Sequence, residues 1–323
     1  MLIDKNGFSI GTVSGGCLEA DVLERAKKVL ETDESIVITY DTNADENSVF
    51  GLSMGCRGIV RILLESVTNA SDLIVHAADN LHERMPFAVA TLIETTKPDL
   101  SIGARLFYDE TGVAFSDFKG AAMAEINTAA RRAFADHLTM RQTFDFGEVF
   151  IETVKPPLSL LLFGAGFDAL PVVRFAKDLG WHVSVIDHRA AYAEVTRIPE
   201  ADEIIAAASE NLDESLFADE NSAAVILTHN YERDRNILRR LLNSKCFYIG
   251  VLGPKKRTEK LLEEIGKTFG DEQLARLYAP VGLDIGANTP EEIALAVIAE
   301  IQAVLSHRNG GFLRERRGSI YSR

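Results

Sequence analysis

Cysteine is scarce in this 323-residue chain, and what little there is argues against a disulfide framework. Cys17, Cys56 and Cys246 lie far apart, form no C-x-x-C pair and have no flanking histidine. An odd number of scattered thiols fits a reducing cytoplasm. Long apolar runs are missing too. Nothing approaches the roughly 18 residues a membrane span requires, and Asp4 and Lys5 interrupt the first apolar residues before a signal sequence could form. Positive charge is in deficit: a net charge of −14 leaves no surplus of Lys and Arg to neutralise phosphates, so no nucleic acid is expected as a general partner. The short basic stretch of Arg314, Arg316, Arg317 and Arg323 reads as a solvated tail. Internal repeats and low-complexity segments are absent as well.

What is present is the composition of a soluble globular protein, long enough for two domains that each bury a core. Lys155-Pro156-Pro157 is the boundary, because two prolines continue neither a helix nor a central strand. The first domain is therefore expected over residues 1–155 and the second over 156–323. In the first, Phe8 to Val13 reads as a strand that ends in Ser14-Gly15-Gly16. Leu18, Val22, Ala26 and Val29 then recur at helical spacing. Strands are expected at Ile36 to Tyr40, Ile59 to Leu64, Ala88 to Ile93 and Ala104 to Tyr108, and a helix at Phe118 to His137. This half alternates β and α without a nucleotide fingerprint.

The second half carries one. Leu158 to Phe163 is a continuous apolar run, the mark of a parallel strand buried on both faces. Gly164-Ala165-Gly166-Phe167-Asp168-Ala169 follows at once and matches G-x-G-x-x-A. A helix from Leu170 to Leu179 then ends at Gly180, and His182 to Ile186 forms a strand ending in Asp187. In this pattern Gly164 permits the tight turn, Gly166 lets the backbone approach a pyrophosphate, and Ala169 permits close packing of helix on strand. Asp187 stands where a ribose-binding acid is expected, and its charge should repel a 2′-phosphate, favouring NAD over NADP. Further strands at Ala223 to Thr228 and Phe247 to Leu252 make a Rossmann-type, doubly wound parallel sheet the expected fold. His229-Asn230 and Gly250 to Pro254 should border the same crevice at the strand ends.

Lys255, Lys256 and Arg257 open the next helix, where cations oppose the macrodipole. A bound anion or an exposed basic turn would account for them equally. Asp284, between Gly282 and Gly286, is either a pocket residue or a plain loop acid. Asn288-Thr289-Pro290-Glu291-Glu292 is a capping box and structural. Cys17, after Gly15-Gly16 at a helix start, is placed to favour a thiolate beside an anion nest; the alternative is a small residue packed behind a tight turn. Glu19 and Asp21 need no explanation beyond the helix dipole. Cys56 and Arg57 lie in a glycine-rich loop, where Arg57 is either a phosphate fork or a solvated side chain. Cys246 reads as a core residue, and His76, His82 and His137 lack ligand spacing.

Five segments recur in one order: Gly11-Thr12-Val13-Ser14-Gly15-Gly16-Cys17-Leu18-Glu19, Gly55-Cys56-Arg57-Gly58, Gly164 to Ala169, Tyr248 to Gly253, and Pro280 to Ala287. Together they resemble the XdhC/CoxI family, accessory factors for xanthine dehydrogenase and aerobic carbon monoxide dehydrogenase, over nearly the whole chain. The resemblance implies an N-terminal α/β XdhC/CoxI domain joined to a C-terminal Rossmann domain. It also implies binding of the molybdenum cofactor, assistance to its sulfuration by a cysteine desulfurase, and delivery to an apo-molybdoenzyme, with Cys17 and Cys56 as candidate molybdenum contacts. Two departures stand out. Only Met1 to Ile10 precede the first motif, where members usually carry further residues, so either the first domain is shortened or its start is misassigned. Phe167 stands where members commonly carry His, which removes any contact that His makes.

Three functions from different classes remain open to the residues alone. A maturation factor would bind a phosphorylated pterin and contact a desulfurase and a target enzyme. An NAD(P)-dependent oxidoreductase would use Gly164, Gly166 and Asp187, with His229 as an acid; no Y-x-x-x-K pair supports a short-chain dehydrogenase mechanism. A nucleotide-sensing scaffold would bind nucleotide and show neither property. A homodimer is the commonest assembly for such a chain.

Overall fold

The computed structural model describes residues 1–41, 58–68, 70–217, 219–266 and 269–317. They cluster into two units, Met1–Pro156 and Pro157–Arg323.

The first unit opens with β1 (Leu2–Ile3) and β2 (Ser9–Ile10), which pair antiparallel. The expected strand over Phe8 to Val13 shrinks to two residues because Gly7 and Gly11 both take positive φ, 85° and 78°, and turn the chain on either side. Helix α1 (Glu19–Thr32) follows, then β3 (Ile36–Asp41) and β4 (Ile59–Leu64), an antiparallel pair. Leu18 and Val22 pack on Ile38 and Tyr40, so the apolar stripe read from the helical spacing is the face that meets the strands.

Helix α2 (Ser71–His82) leads into β5 (Phe87–Thr95), β6 (Arg105–Asp109), β7 (Gly112–Ser116), α3 (Gly120–Asp136), β8 (Met140–Phe144) and β9 (Gly147–Val154). The five strands form one antiparallel sheet in the order β7-β6-β5-β9-β8. Alternation sorts its side chains. Ala90, Leu92, Leu106, Val149 and Ile151 face α3, whose Ala129, Ala130 and Ala133 allow a close approach. Phe87, Val89 and Phe107 face the other way and meet Leu73 and Ala77 of α2.

The second unit comprises β10 (Ser159–Phe163), α4 (Ala169–Asp178), β11 (His182–Asp187), β12 (Glu203–Ala206), β13 (Ser222–Ile226), α5 (Tyr231–Leu241), β14 (Tyr248–Val251), α6 (Lys255–Ile265), α7 (Asp271–Leu274), β15 (Leu277–Tyr278) and α8 (Pro290–Leu305). Its six strands are all parallel, in the order β12-β11-β10-β13-β14-β15. Every residue of β10 and β13 is buried, as a strand covered on both faces requires. Side chains of α4 and α8 join the core on one face, and those of α5 and α6 the core on the other. The strand order runs outward from β10 to β12 and then resumes at β13 on the opposite side. That reversal opens a crevice over the carboxyl ends of β10 and β13, where doubly wound sheets bind ligands. Thr289 and Glu292 cap α8 reciprocally, as the sequence predicts. No described helix is long and apolar enough to cross a membrane.

Candidate functional site

The crevice of the second unit is built on one glycine turn. Gly164 leaves β10 at φ 116°, and its amide donates to the Ile186 carbonyl at 2.8 Å. A Cβ at this position would lie 2.6 Å from the Leu227 carbonyl oxygen, so the loop passes too close to β13 for any side chain. Gly166 follows, and a Cβ there would meet the Asp168 carboxylate at 2.5 Å. Ala169, fully buried, starts α4 directly behind the turn.

Asp187 terminates β11 and is 4% exposed. Its carboxylate is fully engaged. Oδ2 accepts from the Ala165 amide at 2.9 Å and from the Arg189 guanidinium at 2.7 Å. Oδ1 accepts from the Arg189 amide at 2.9 Å and from its Nε at 3.0 Å. Burial alone would push the carboxyl up, but the Arg189 and Ala165 hydrogen bonds outweigh it and hold the pKa at about 2. The acid read as a ribose acceptor thus clamps the glycine turn to Arg189. Arg189 in turn stacks on Tyr192, 3.7 Å from the ring centroid. Arg197 lies over Tyr192 and, at 5.8 Å, over Phe167, which is 76% exposed at the mouth of the turn.

On the β13 side, His229 takes a left-handed conformation, φ 53°, that brings its Nε2 to 2.6 Å from Asp168 Oδ2. With the carboxylate as acceptor, Nε2 carries the proton and Nδ1 is left as the basic nitrogen. A cleft of about 350 Å³ lies beside this pair, lined by His229, Asp234, Gly253, Pro254 and Arg257 among others. Asp234 is 2% exposed, accepts from the Thr228 hydroxyl and pairs with Arg257 at 2.6 Å. The basic turn at the start of α6 therefore divides. Arg257 turns inward to a buried carboxylate, whereas Lys255 and Lys256 are exposed and outside the cleft lining. Asp284 is exposed on the loop before α8 and lines neither side of the crevice.

The glycine loop of the first unit is organised by Glu19. Its Oε1 accepts from the amides of Val13 at 3.2 Å and Ser14 at 2.7 Å, and its Oε2 from the Ser14 hydroxyl at 2.7 Å and the Leu18 amide at 3.2 Å. The Ser14 hydrogen bond is the chief reason the carboxyl is held down at about 2. The Val13, Ser14 and Leu18 amides around the glycines thus serve the protein's own carboxylate, and Glu19 has a role beyond the helix dipole. Cys17 lies before the helix rather than in its first turn: Leu18 is the N-cap, and the Cys17 amide donates to Ser14 Oγ at 3.1 Å. The Cys17 residue is exposed, and nothing lies within 4 Å of where a Cβ of Gly15 or Gly16 would sit. Cys56 and Arg57 lie outside the described residues. Among the described residues no group of three or more His, Cys, Asp or Glu is placed to hold a metal ion, so Cys17 offers a single donor.

Cys246 is buried and within 3.3 Å of the Ser222 hydroxyl, a core thiol as its strand context suggests. His76 stacks on Phe115 and lies tilted against Phe107 in an aromatic cluster. Sequence reasoning missed Asp168 and Arg189 as site residues. Arg189 had a local signal, an arginine two residues beyond the strand-terminal acid; the Asp168–His229 pair, 61 residues apart, had none.

Comparison with known proteins covers both units. The family model described as the XdhC Rossmann domain matches residues 160–301, and that of the XdhC and CoxI family matches residues 1–41. A Bacillus subtilis (strain 168) protein, named as a probable xanthine dehydrogenase subunit, is 34% identical over 302 residues, 93% of this chain and 86% of that protein. The Escherichia coli (strain K12) molybdenum cofactor insertion chaperone PaoD is 23% identical, over 95% of this chain and 78% of its own length. A crystal structure from Bacillus halodurans, described as a xanthine dehydrogenase, superposes with a TM-score of 0.77 at 29% identity, covering 95% of this chain and 86% of that one.

Proposed function

This chain belongs to the XdhC and CoxI family, and from that premise we propose that it is a cytoplasmic maturation factor for a molybdoenzyme. In this reading it binds the molybdenum cofactor, assists its sulfuration by a cysteine desulfurase, and delivers it to an apo-enzyme of the xanthine dehydrogenase or carbon monoxide dehydrogenase type. The names of two relatives, one a molybdenum cofactor insertion chaperone and the other a xanthine dehydrogenase subunit, support the role.

The observation within the chain that carries it is Cys17: an exposed cysteine on a loop pinned by Glu19, with open space over Gly15 and Gly16. A thiolate is a soft donor suited to molybdenum, and a loop fixed by four hydrogen bonds presents it with little ordering cost. The cofactor, when bound, supplies a molybdenum centre and a phosphorylated pterin. In the second unit, the Gly164–Gly166 turn and the start of α4 suit a phosphate, of that cofactor or of a nucleotide.

Anaerobic titration of the full chain with molybdenum cofactor tests the role. Saturable binding is expected, weakened about tenfold, or roughly 1.4 kcal/mol, by Cys17→Ala. A folded wild-type chain that does not bind the cofactor would overturn the proposal. The Asp168–His229 pair favours a second reading, an NAD(P)-dependent oxidoreductase with His229 as proton donor or acceptor. That reading requires hydride transfer with added nicotinamide cofactor, which a maturation factor does not perform.

A further inference from the structure

Beyond the glycine turn, at the end of β11, the crevice narrows to a cavity of about 20 Å³ bordered by Gly164, Asp187, Arg189, Ser209, Thr228 and Arg233, with others. In a dinucleotide-binding sheet the adenosine lies near the acid at this strand end. Here the acid is taken. A ribose diol could reach Asp187 only by displacing Arg189, which holds both carboxylate oxygens.

The charge balance points the same way. Asp187 neutralises Arg189, but Arg233 has no carboxylate partner among the described residues. It stands in the first turn of α5 between Glu232 and Asp234, but Glu232 lies toward Arg235 and Asp234 pairs with Arg257, so neither takes up its charge. Ser209 supplies an independent sign. The residue is 8% exposed, it lines the same cavity, and its hydroxyl is buried without a hydrogen-bond partner. Buried hydroxyls are normally matched, and an unmatched one in a cavity that Arg189 and Arg233 also line suits a bound oxyanion.

We propose that this end of the crevice is a phosphomonoester subsite, in which Arg233 supplies the unbalanced charge, Arg189 the N–H donors that Asp187 leaves free, and Ser209 a hydroxyl donor. At about 20 Å³ the cavity holds about one water, so the phosphate would sit at its mouth with one oxygen in place of that water, and a purine ring would stay outside. Two carriers share the chemistry: the 2′-phosphate of NADP and the terminal phosphate of a phosphorylated pterin. The pterin arm rests on the maturation reading; the subsite itself does not. The preference for NAD expected from the sequence assumed a bare Asp187, and the pairing with Arg189 reverses it.

His188 reports on the site. Burial, then the charge of Arg233 and to a lesser extent that of Arg189, hold its imidazole below the ordinary value, with Asp187 acting the other way. A bound dianion should raise it.

The test is calorimetric titration of the full chain with inorganic phosphate, NAD and NADP, with the His188 ring proton followed by NMR. Wild type should bind phosphate and raise the His188 pKa on doing so, and NADP should bind at least tenfold tighter than NAD. Arg233→Gln and Ser209→Ala, each checked for an unchanged melting temperature, should weaken phosphate and NADP and leave NAD nearly as it was. Phosphate binding unaltered by Arg233→Gln, or NAD binding tighter than NADP, overturns the subsite. Phosphate binding as described in a chain that fails to bind molybdenum cofactor leaves the subsite standing and removes only the pterin arm. Cofactor binding that is insensitive to Arg233→Gln removes that arm while the maturation reading survives.

Discussion

Gly164→Ala is expected to destabilise the second unit by at least roughly 2–3 kcal/mol and to abolish phosphate and nucleotide binding there. Two costs add. The residue sits at φ 116°, which an L side chain rarely adopts, and the new Cβ would lie 2.6 Å from the Leu227 carbonyl oxygen and 2.8 Å from its carbon. Those atoms are backbone at the end of a fully buried strand, so they cannot rotate aside as a flexible side chain would. Relief requires moving the turn away from β13, and the turn carries the Ala165 amide that binds Asp187. Gly270→Ala is the control: a Cβ there meets nothing within 4 Å, and its φ of −73° is ordinary. Thermal unfolding of both variants checks the claim. A Gly164→Ala protein within about 0.5 kcal/mol of wild type, the range of harmless surface changes, would mean the turn is not held as described.

Asp187→Asn should be the next most damaging change, and its effect should depend on pH. The folded carboxyl titrates at about 2, below its unfolded value of roughly 3.9. A depressed pKa contributes stability that is complete above the unfolded value and disappears as pH falls from about 4 through 2. The gap between the folded and unfolded values corresponds to roughly 2.5 kcal/mol, and because the side chain is 2% exposed little of that is screened. Wild type and variant should therefore differ most near neutrality and converge toward pH 2, as followed by denaturant unfolding across that range. A difference independent of pH would show that Asp187 acts through shape alone and not through its charge on Arg189.

How much of this was legible beforehand depended on local periodicity. The parallel sheet could be read because strands buried on both faces appear as unbroken apolar runs, Leu158 to Phe163 and Ala223 to Ile226, with a glycine turn at the first. The edge strand β12, Glu203–Ala206, has no buried residue and gave no such signal. Helix α2 likewise has none buried and was not expected. Strands β7 to β9 were missed although β9 alternates Val149 and Ile151 with Phe150 and Glu152, because its core face is only two residues long before the flanking turns. The first unit's main sheet is accordingly antiparallel with β5 between β6 and β9, where the sequence suggests a simple β–α alternation.

At the site, the positions of Gly164, Gly166, Asp187 and His229 followed from spacing, since each ends a strand or opens a turn. Their partners did not. Whether Asp187 faces a ribose or an arginine, and whether the amides around a glycine loop face a ligand or Glu19, is decided by contacts that spacing does not encode. The same limit applied to the basic turn, where only Arg257 finds a buried carboxylate and Lys255 stays in solvent.

The most direct test of the maturation role is transfer. The purified chain would be loaded anaerobically with molybdenum cofactor, freed of unbound cofactor, and mixed with an apo-xanthine dehydrogenase, with recovered activity compared against an equal amount of free cofactor. The account predicts activity that rises in proportion to loaded chain and exceeds the free-cofactor control, with Cys17→Ala recovering less. A folded chain that neither retains the cofactor nor raises recovery above that control would contradict it.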